Sequence, residues 1–215
     1  MDIHIRKCQA GDAAFLGKSI LVAGRAHVSR GIWEVVLGTP KKECLRFLEH
    51  IVVTDIPHLF HYSCYLIAET SDSTPVGSLG GYDPKKLGYQ SLQQALPGVY
   101  KKLNLPGQDP QRANERAAKI LACLPKGIDN AWVIDSVATV SEYRGRGVAE
   151  RLLYAIMDEG RKQGYSMTQV NMYVGNEPAL QLYKKLGFEV IEATKDIYFE
   201  REICSPGMLS LARKL

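Results

Sequence analysis

The 215-residue chain has no paired-cysteine pattern, no block of like charge and no long apolar run. Its five cysteines, Cys8, Cys44, Cys64, Cys123 and Cys204, are odd in number and widely spaced, with no CxxC or Cys/His ligand spacing. That argues against a disulfide framework and against a zinc site, so no metal is expected and the thiols are read as reduced and mostly packed. The formal net charge of +4 comes from 27 Lys+Arg and 23 Asp+Glu spread along the chain. It favours anionic ligands slightly but lacks the concentrated basic patch of a nucleic-acid binder. No stretch approaches the length of a membrane span, and Met1 to Gly11 carries Asp2, Arg6 and Lys7 without an apolar core. The expectation is a cytoplasmic protein without a membrane partner. Internal repeats and low-complexity segments are also missing, and the length suits one sizeable core, so 1–215 is read as a single domain.

What is present is a glycine-rich turn between a strand pattern and a helix pattern. Trp132 to Val140 is rich in β-branched and aromatic residues, as a buried or half-buried strand is. Val148, Leu152 and Ile156, with Ala149 and Leu153 alongside, form an apolar helical stripe after it. Between them stands Arg144-Gly145-Arg146-Gly147. A helix start leaves amides unpaired and partly positive, so it receives phosphate, and glycine lets a ligand approach the backbone. A Walker loop would need Gly-Lys-Ser/Thr, and a dinucleotide fingerprint would need a small residue where Glu150 stands. A disordered RGRG tail for RNA would recur, and only one copy exists here. A plain connecting turn is the remaining alternative.

Read as Val137-x-Thr139-x4-Arg144-x2-Gly147-x-Ala149, the segment resembles the acetyl-CoA signature of the GNAT acyltransferases. Some forty residues on, Asn176-x2-Ala179-x3-Tyr183-x2-Leu186-Gly187-Phe188 resembles the second signature of the same family. The resemblance runs from about Trp132 to Val190. It implies an α/β fold with a mixed, twisted central sheet flanked by helices, and acetyl-CoA as acyl donor. It also implies that the central strand splays from its neighbour to admit the pantetheine arm. By the same resemblance, coenzyme A lies on Arg144, Gly145, Arg146, Gly147, Val148 and Ala149, with Val137, Ala138 and Thr139 pairing their backbone to the pantetheine and Asn176 adding a contact. Tyr183 is then the proton donor to the departing thiolate, with a core aromatic as the plainer reading.

Asp135 is assigned from strand phase. Strict alternation would put it on one face with Val133, Val137 and Thr139, where its carboxylate could take a proton from an ammonium or hold it. A structural aspartate is the alternative. The acceptor is an unspecified small-molecule or protein amine. Direct transfer is expected because no cysteine lies in either motif. A non-catalytic acyl-CoA-binding or regulatory module is the competing function.

Elsewhere, Ile3 to Arg6 reads as a strand, Asp12 as the cap of a helix through Ile20, and Lys41 to Val53 as a helix. Arg25 to Gly38 reads as a loop on the substrate side. Tyr65 to Ala68 and Val76 to Leu79 read as a hairpin. The segment 84–126, punctuated by Pro84, Pro97, Pro106, Pro110 and Pro125 with one helix from Gln111 to Leu124, reads as an insertion before the signature strand. It is either an acceptor-side element or a packing and homodimer contact. Met167 to Val174 is read as a strand, Asn176 as the cap of a helix to Leu186, and 188–191 with 197–203 as a closing hairpin. His27, His58, His61, Glu34 and Tyr82 are unassigned acid/base or substrate-side residues.

Overall fold

The computed structural model describes residues 2–103 and 109–215. In chain order the strands are β1 (Ile3–Lys7), β2 (Tyr65–Thr70), β3 (Pro75–Tyr82), β4 (Ala131–Thr139), β5 (Met167–Tyr173), β6 (Glu189–Lys195) and β7 (Gly207–Lys214). The helices are α1 (Ala13–Arg25), α2 (Ile32–Leu37), α3 (Lys41–Ile51), α4 (Pro84–Leu87), α5 (Tyr89–Leu103), α6 (Pro110–Leu121), α7 (Val148–Lys162), α8 (Glu177–Lys185) and α9 (Ile197–Ile203). The strands form one sheet in the order β1-β2-β3-β4-β5-β7-β6. All neighbours are antiparallel except β4 and β5, so the sheet is mixed. The mixed sheet flanked by helices agrees with the architecture implied by the signatures.

Alternation on the strands splits the apolar side chains between two faces. Leu66 packs with Trp132, Ile134 and the buried stripe of α7, whereas Ile67 packs with α1 and α3. A third cluster joins Val35 of α2, Ile120 of α6 and Phe199 of α9. Glycines on β3 set how closely α7 lies on the sheet. A Cβ at Gly77 would stand 2.8 Å from Val148 Cγ1, and one at Gly81 would run into Ile156 and Trp132. This close approach fixes the start of α7 beside the end of β4.

Four local expectations are corrected. The closing hairpin is wrong in its second arm, because 197–203 is α9 and the strand paired with β6 is β7. Asp196 accepts from the Phe199 amide at 2.7 Å and starts a helix that buries Phe199 and Ile203, a spacing of four that the β-branched composition had disguised. Asp12 does not cap α1 with its side chain. It accepts from the Gln9 amide and pairs with Arg6 at 2.8 Å. Arg25 to Gly38 is more than a loop, since it contains α2, whose Glu34 pairs with Arg25 and accepts from the Gly31 amide. The insertion 84–126 carries three helices where one was expected, and α5 continues through Pro97. Pro106 lies outside the described residues.

The glycine argument has a direct test. Gly81→Ala should lower stability by about 1–3 kcal/mol through overpacking against α7. Gly98→Ala, inside α5 where a Cβ meets nothing within 4 Å, should raise it by roughly 0.5–1 kcal/mol. Urea midpoints that move in the same direction for both would contradict the packing of α7 on β3.

Candidate active site

The parallel pairing of β4 with β5 runs only from Ala131↔Met167 to Ile134↔Val170. Beyond it β4 continues to Thr139 along β3 and β5 to Tyr173 along β7 without further pairing to each other, so the two strands diverge and leave main chain unpaired along their facing edges. The divergence coincides with a bulge. Between the pairs Gly80↔Asp135 and Ser78↔Ala138, β3 advances by two residues and β4 by three. The extra residue lies at Ser136, whose φ of 51° is in the left-handed region that non-glycine residues seldom adopt.

This bulge overturns the assumption of unbroken alternation on β4. Asp135 pairs with Gly80, where a Cβ would touch the Tyr65 ring, so Asp135 faces the α1 side of the sheet with Val133. Thr139 pairs with Gly77, which faces Val148, so Thr139 and Val137 face α7. Asp135 therefore shares a face with Val133 and not with Val137 or Thr139. Nothing in the local composition marks the one-residue slip.

Past β4, Gly145 (φ 72°) and Gly147 (φ 77°) turn the chain into α7, both with positive φ and both with open space where a Cβ would point. The Arg151 amide donates to the Gly147 carbonyl as the first bond of the helix, so the amides of Val148, Ala149 and Glu150 have no intrahelical acceptor. Arg144 Nε donates to the Thr139 carbonyl at 3.3 Å, which closes the loop onto the end of β4. The Arg146 guanidinium lies 5.4 Å from the centre of the Tyr143 ring, and Glu150 is paired with Lys185 of α8 at 2.6 Å.

A single cavity of about 1540 Å³ occupies the divergence. It is lined by Asp135, Val137, Ala138, Thr139, Arg144, Gly145, Gly147, Val148, Ala149, Asn176 and Tyr183 together. Arg146 is adjacent through Tyr143 and is not in the lining itself. Asn176 holds the N-cap position of α8, but its side chain makes no cap hydrogen bond. Tyr183 is buried, packs 5.7 Å from Phe188 between ring centres and still borders the cavity. On the cavity wall, Thr139 Oγ1 is a buried hydroxyl with no hydrogen-bond partner among the described residues.

Electrostatically the cavity has two ends. At one end are the α7 amides and Arg144. Near the other is Asp135, half-buried, which receives a hydrogen bond of 2.8 Å from Ser136 Oγ and pairs with no cation among the described residues. Burial raises its carboxyl above the ordinary 3.8, with the Ser136 hydroxyl and amide pulling the other way. Burial first, then the charge of Asp135, raise the hydroxyls of Tyr82, Tyr173 and Tyr183, which line the same cavity. These phenols stay protonated at neutral pH.

Of the unassigned residues, His27 and Tyr82 reach the cavity. Glu34 is taken up by Arg25. His61 accepts from the Ser63 amide, and His58 is buried with its ring pushed down to about 4. The residues that sequence reasoning missed are the aromatic wall opposite Asp135: Trp33, Phe47, Phe60 and Tyr100. They come from α2, α3, the α3–β2 connection and α5, with no shared motif. Among the described residues, no cluster of three or more His, Cys, Asp or Glu could hold a metal, and no helix is long and apolar enough to cross a membrane.

Parts of the chain are similar to known acetyltransferases. The chain is 35% identical over 81 residues to an N-alpha-acetyltransferase of Sulfurisphaera tokodaii, covering 37% of this chain and 47% of that one. It is 38% identical over 78 residues to N-alpha-acetyltransferase 30 of Schizosaccharomyces pombe, covering 35% and 52%. The matches thus span about half the length of these relatives. An N-acetyltransferase structure from Staphylococcus aureus Mu50 has the same fold, with a TM-score of 0.70 at 21% identity over 98% of this chain and all of that one. Residues 112–188, which hold β4, the glycine loop, α7 and α8, match the Acetyltransferase (GNAT) family.

Proposed function

We propose that this chain is an acetyl-CoA-dependent N-acetyltransferase that passes the acetyl group directly to a primary amine. The observation that carries this reading is the one cavity of about 1540 Å³ shared by the helix start, the free edge of β4, Asp135 and Tyr183. A single small-molecule site measures roughly 300–1,000 Å³, so donor and acceptor fit together, as direct transfer requires. Among the described residues no cysteine lines it, and an acyl-cysteine intermediate has no nucleophile there.

The cavity wall suits coenzyme A on three counts. Unpaired amides and glycines at the start of α7 would receive the pyrophosphate, with Arg144 and Arg146 adding charge. The unpaired edge of β4 at Val137, Ala138 and Thr139 would pair with the pantetheine amides as an added strand does. The partnerless hydroxyl of Thr139 and the uncommitted side chain of Asn176 supply further polar contacts. Acetyl-CoA supplies the activated thioester, and the chain supplies position and proton management. Asp135, a carboxylate without a cationic partner among the described residues, attracts the acceptor ammonium and accepts its proton directly or through water. The Tyr183 hydroxyl, kept protonated by its surroundings, donates to the leaving sulfur.

Tyr183→Phe removes one oxygen and keeps the ring against Phe188. The single-turnover acetyl-transfer rate should fall ~10²–10⁴-fold, the usual contribution of a positioned proton donor, with coenzyme A affinity retained and stability changed by about 1 kcal/mol or less. An unchanged single-turnover rate would take Tyr183 out of the chemistry.

Asp135→Asn should act on activity and stability in opposite directions. Because burial raises the folded-state value above 3.8, the protonated form contributes stability that is fully present below pH 3.8 and is lost as pH rises through the folded value. At neutral pH the charge therefore costs stability. The Asn variant should melt at a higher temperature than the parent at neutral pH, lose that advantage in acid, and transfer acetyl poorly while still binding coenzyme A. A lower melting temperature at neutral pH together with full activity would make Asp135 a structural residue.

A further inference from the structure

The half of the cavity facing Asp135 is built by α2, α3, α5 and α6, and its chemistry is one-sided. These four helices contribute no Asp, Glu, Lys or Arg to the lining. Together with the α3–β2 connection they contribute instead a run of rings in successive contact: Phe60 to Trp33 at 4.9 Å, Trp33 to Phe47 at 6.5 Å and Phe47 to Tyr100 at 5.5 Å between centres. All four border the cavity. Phe47 and Phe60 are buried, while Trp33 and Tyr100 are half-buried, with part of each ring left accessible.

The wall is also held in place. Arg116 of α6 donates to the carbonyls of Val36 and Leu37 at 2.8 and 2.9 Å, which ties the insertion to α2. The Arg25–Glu34 pair, at 2.7 and 2.5 Å, ties α2 to α1. A surface already fixed loses little conformational entropy when a ligand settles on it.

We propose, building on the transfer reading above, that the acceptor is a small primary amine carrying an aromatic or bulky apolar group. Its ammonium lies at Asp135 and its apolar group against the ring wall. The absent chemistry supports this as much as the present. A diamine would bring a second ammonium, and an amino acid a carboxylate, into a half-cavity whose helices offer neither a counter-charge, so desolvation of that group would go uncompensated. An extended peptide would bring a row of amide groups that need partners, and the polar side chains that these helices place on the lining are only Trp33, Tyr89, Gln93, Tyr100 and Asn114. An arylalkyl amine brings one charge and one apolar body, which is the composition of the wall.

The test uses the full chain saturated with coenzyme A and compares 2-phenylethylamine with ethanolamine, putrescine and a short peptide with a free N-terminus, by calorimetry and by acetyl transfer. The phenylethylamine dissociation constant should be lower than that of ethanolamine by ~30-fold or more, the value of burying a ring beside an equal ammonium. Trp33→Ala should shrink that ratio several-fold with little change for ethanolamine, and Tyr100→Ala serves the same purpose if the first variant does not fold. Equal binding of the two amines, or tighter binding of putrescine or the peptide, would overturn the inference. Turnover separates it from the reading beneath it. Preferential binding of phenylethylamine without acetylation of any amine would sink the transferase reading and keep the ring-wall site, whereas acetylation of all amines without preference would do the reverse.

Discussion

The divergence of β4 from β5 after the Ile134↔Val170 pair is the constraint on which the rest of the site depends. Parallel strands in a sheet normally continue their ladder, because unpaired main-chain groups in an interior are costly. Here the ladder stops with five residues of β4 still to run, and a bulge with left-handed backbone at Ser136 marks the place. Strain of this kind persists only where the surroundings hold it, and it gathers at functional sites. Its effect is to let one strand serve two faces. Asp135 turns toward α1, while Val137 and Thr139 turn toward α7, so in the proposed function acceptor-side chemistry and the cofactor-side edge come from neighbouring residues.

The site is also an electrostatic compromise. Unpaired amides at the start of α7 favour anions at one end, and at the other stands Asp135, a carboxylate with no cationic partner among the described residues. Tyrosine hydroxyls between them remain protonated because burial and the nearby negative charge both oppose ionisation. Gly77 and Gly81 let α7 lie close enough for its first turn to meet the end of β4.

The parts of this design that follow strict periods were legible from sequence. Val148, Leu152 and Ile156 give α7, the β-branched run gives β4, and Gly145 and Gly147 mark the turn at which backbone conformation and ligand approach both call for glycine. What breaks period was not legible. Ser136 looks like any strand residue, yet the bulge there reverses the facing of everything after it. The stretch from Ile197 to Ile203 has strand-like composition, but the Asp196 cap decides in favour of a helix. The ring wall was hidden for another reason: Trp33, Phe47, Phe60 and Tyr100 come from four separate segments with no common spacing and meet only through tertiary packing.

The central claim is that the start of α7, at the mouth of the divergence, holds the phosphates of the acyl donor. Calorimetric titration of coenzyme A into Gly147→Asn and Gly147→Asp tests it most directly. Both side chains tolerate the left-handed backbone better than most and match in size, so they share the cost of replacing glycine and differ by one negative charge. The account predicts that the Asp variant binds at least ~10-fold more weakly than the Asn variant, with a gap that narrows as salt rises. Equal affinities in two folded variants would contradict it.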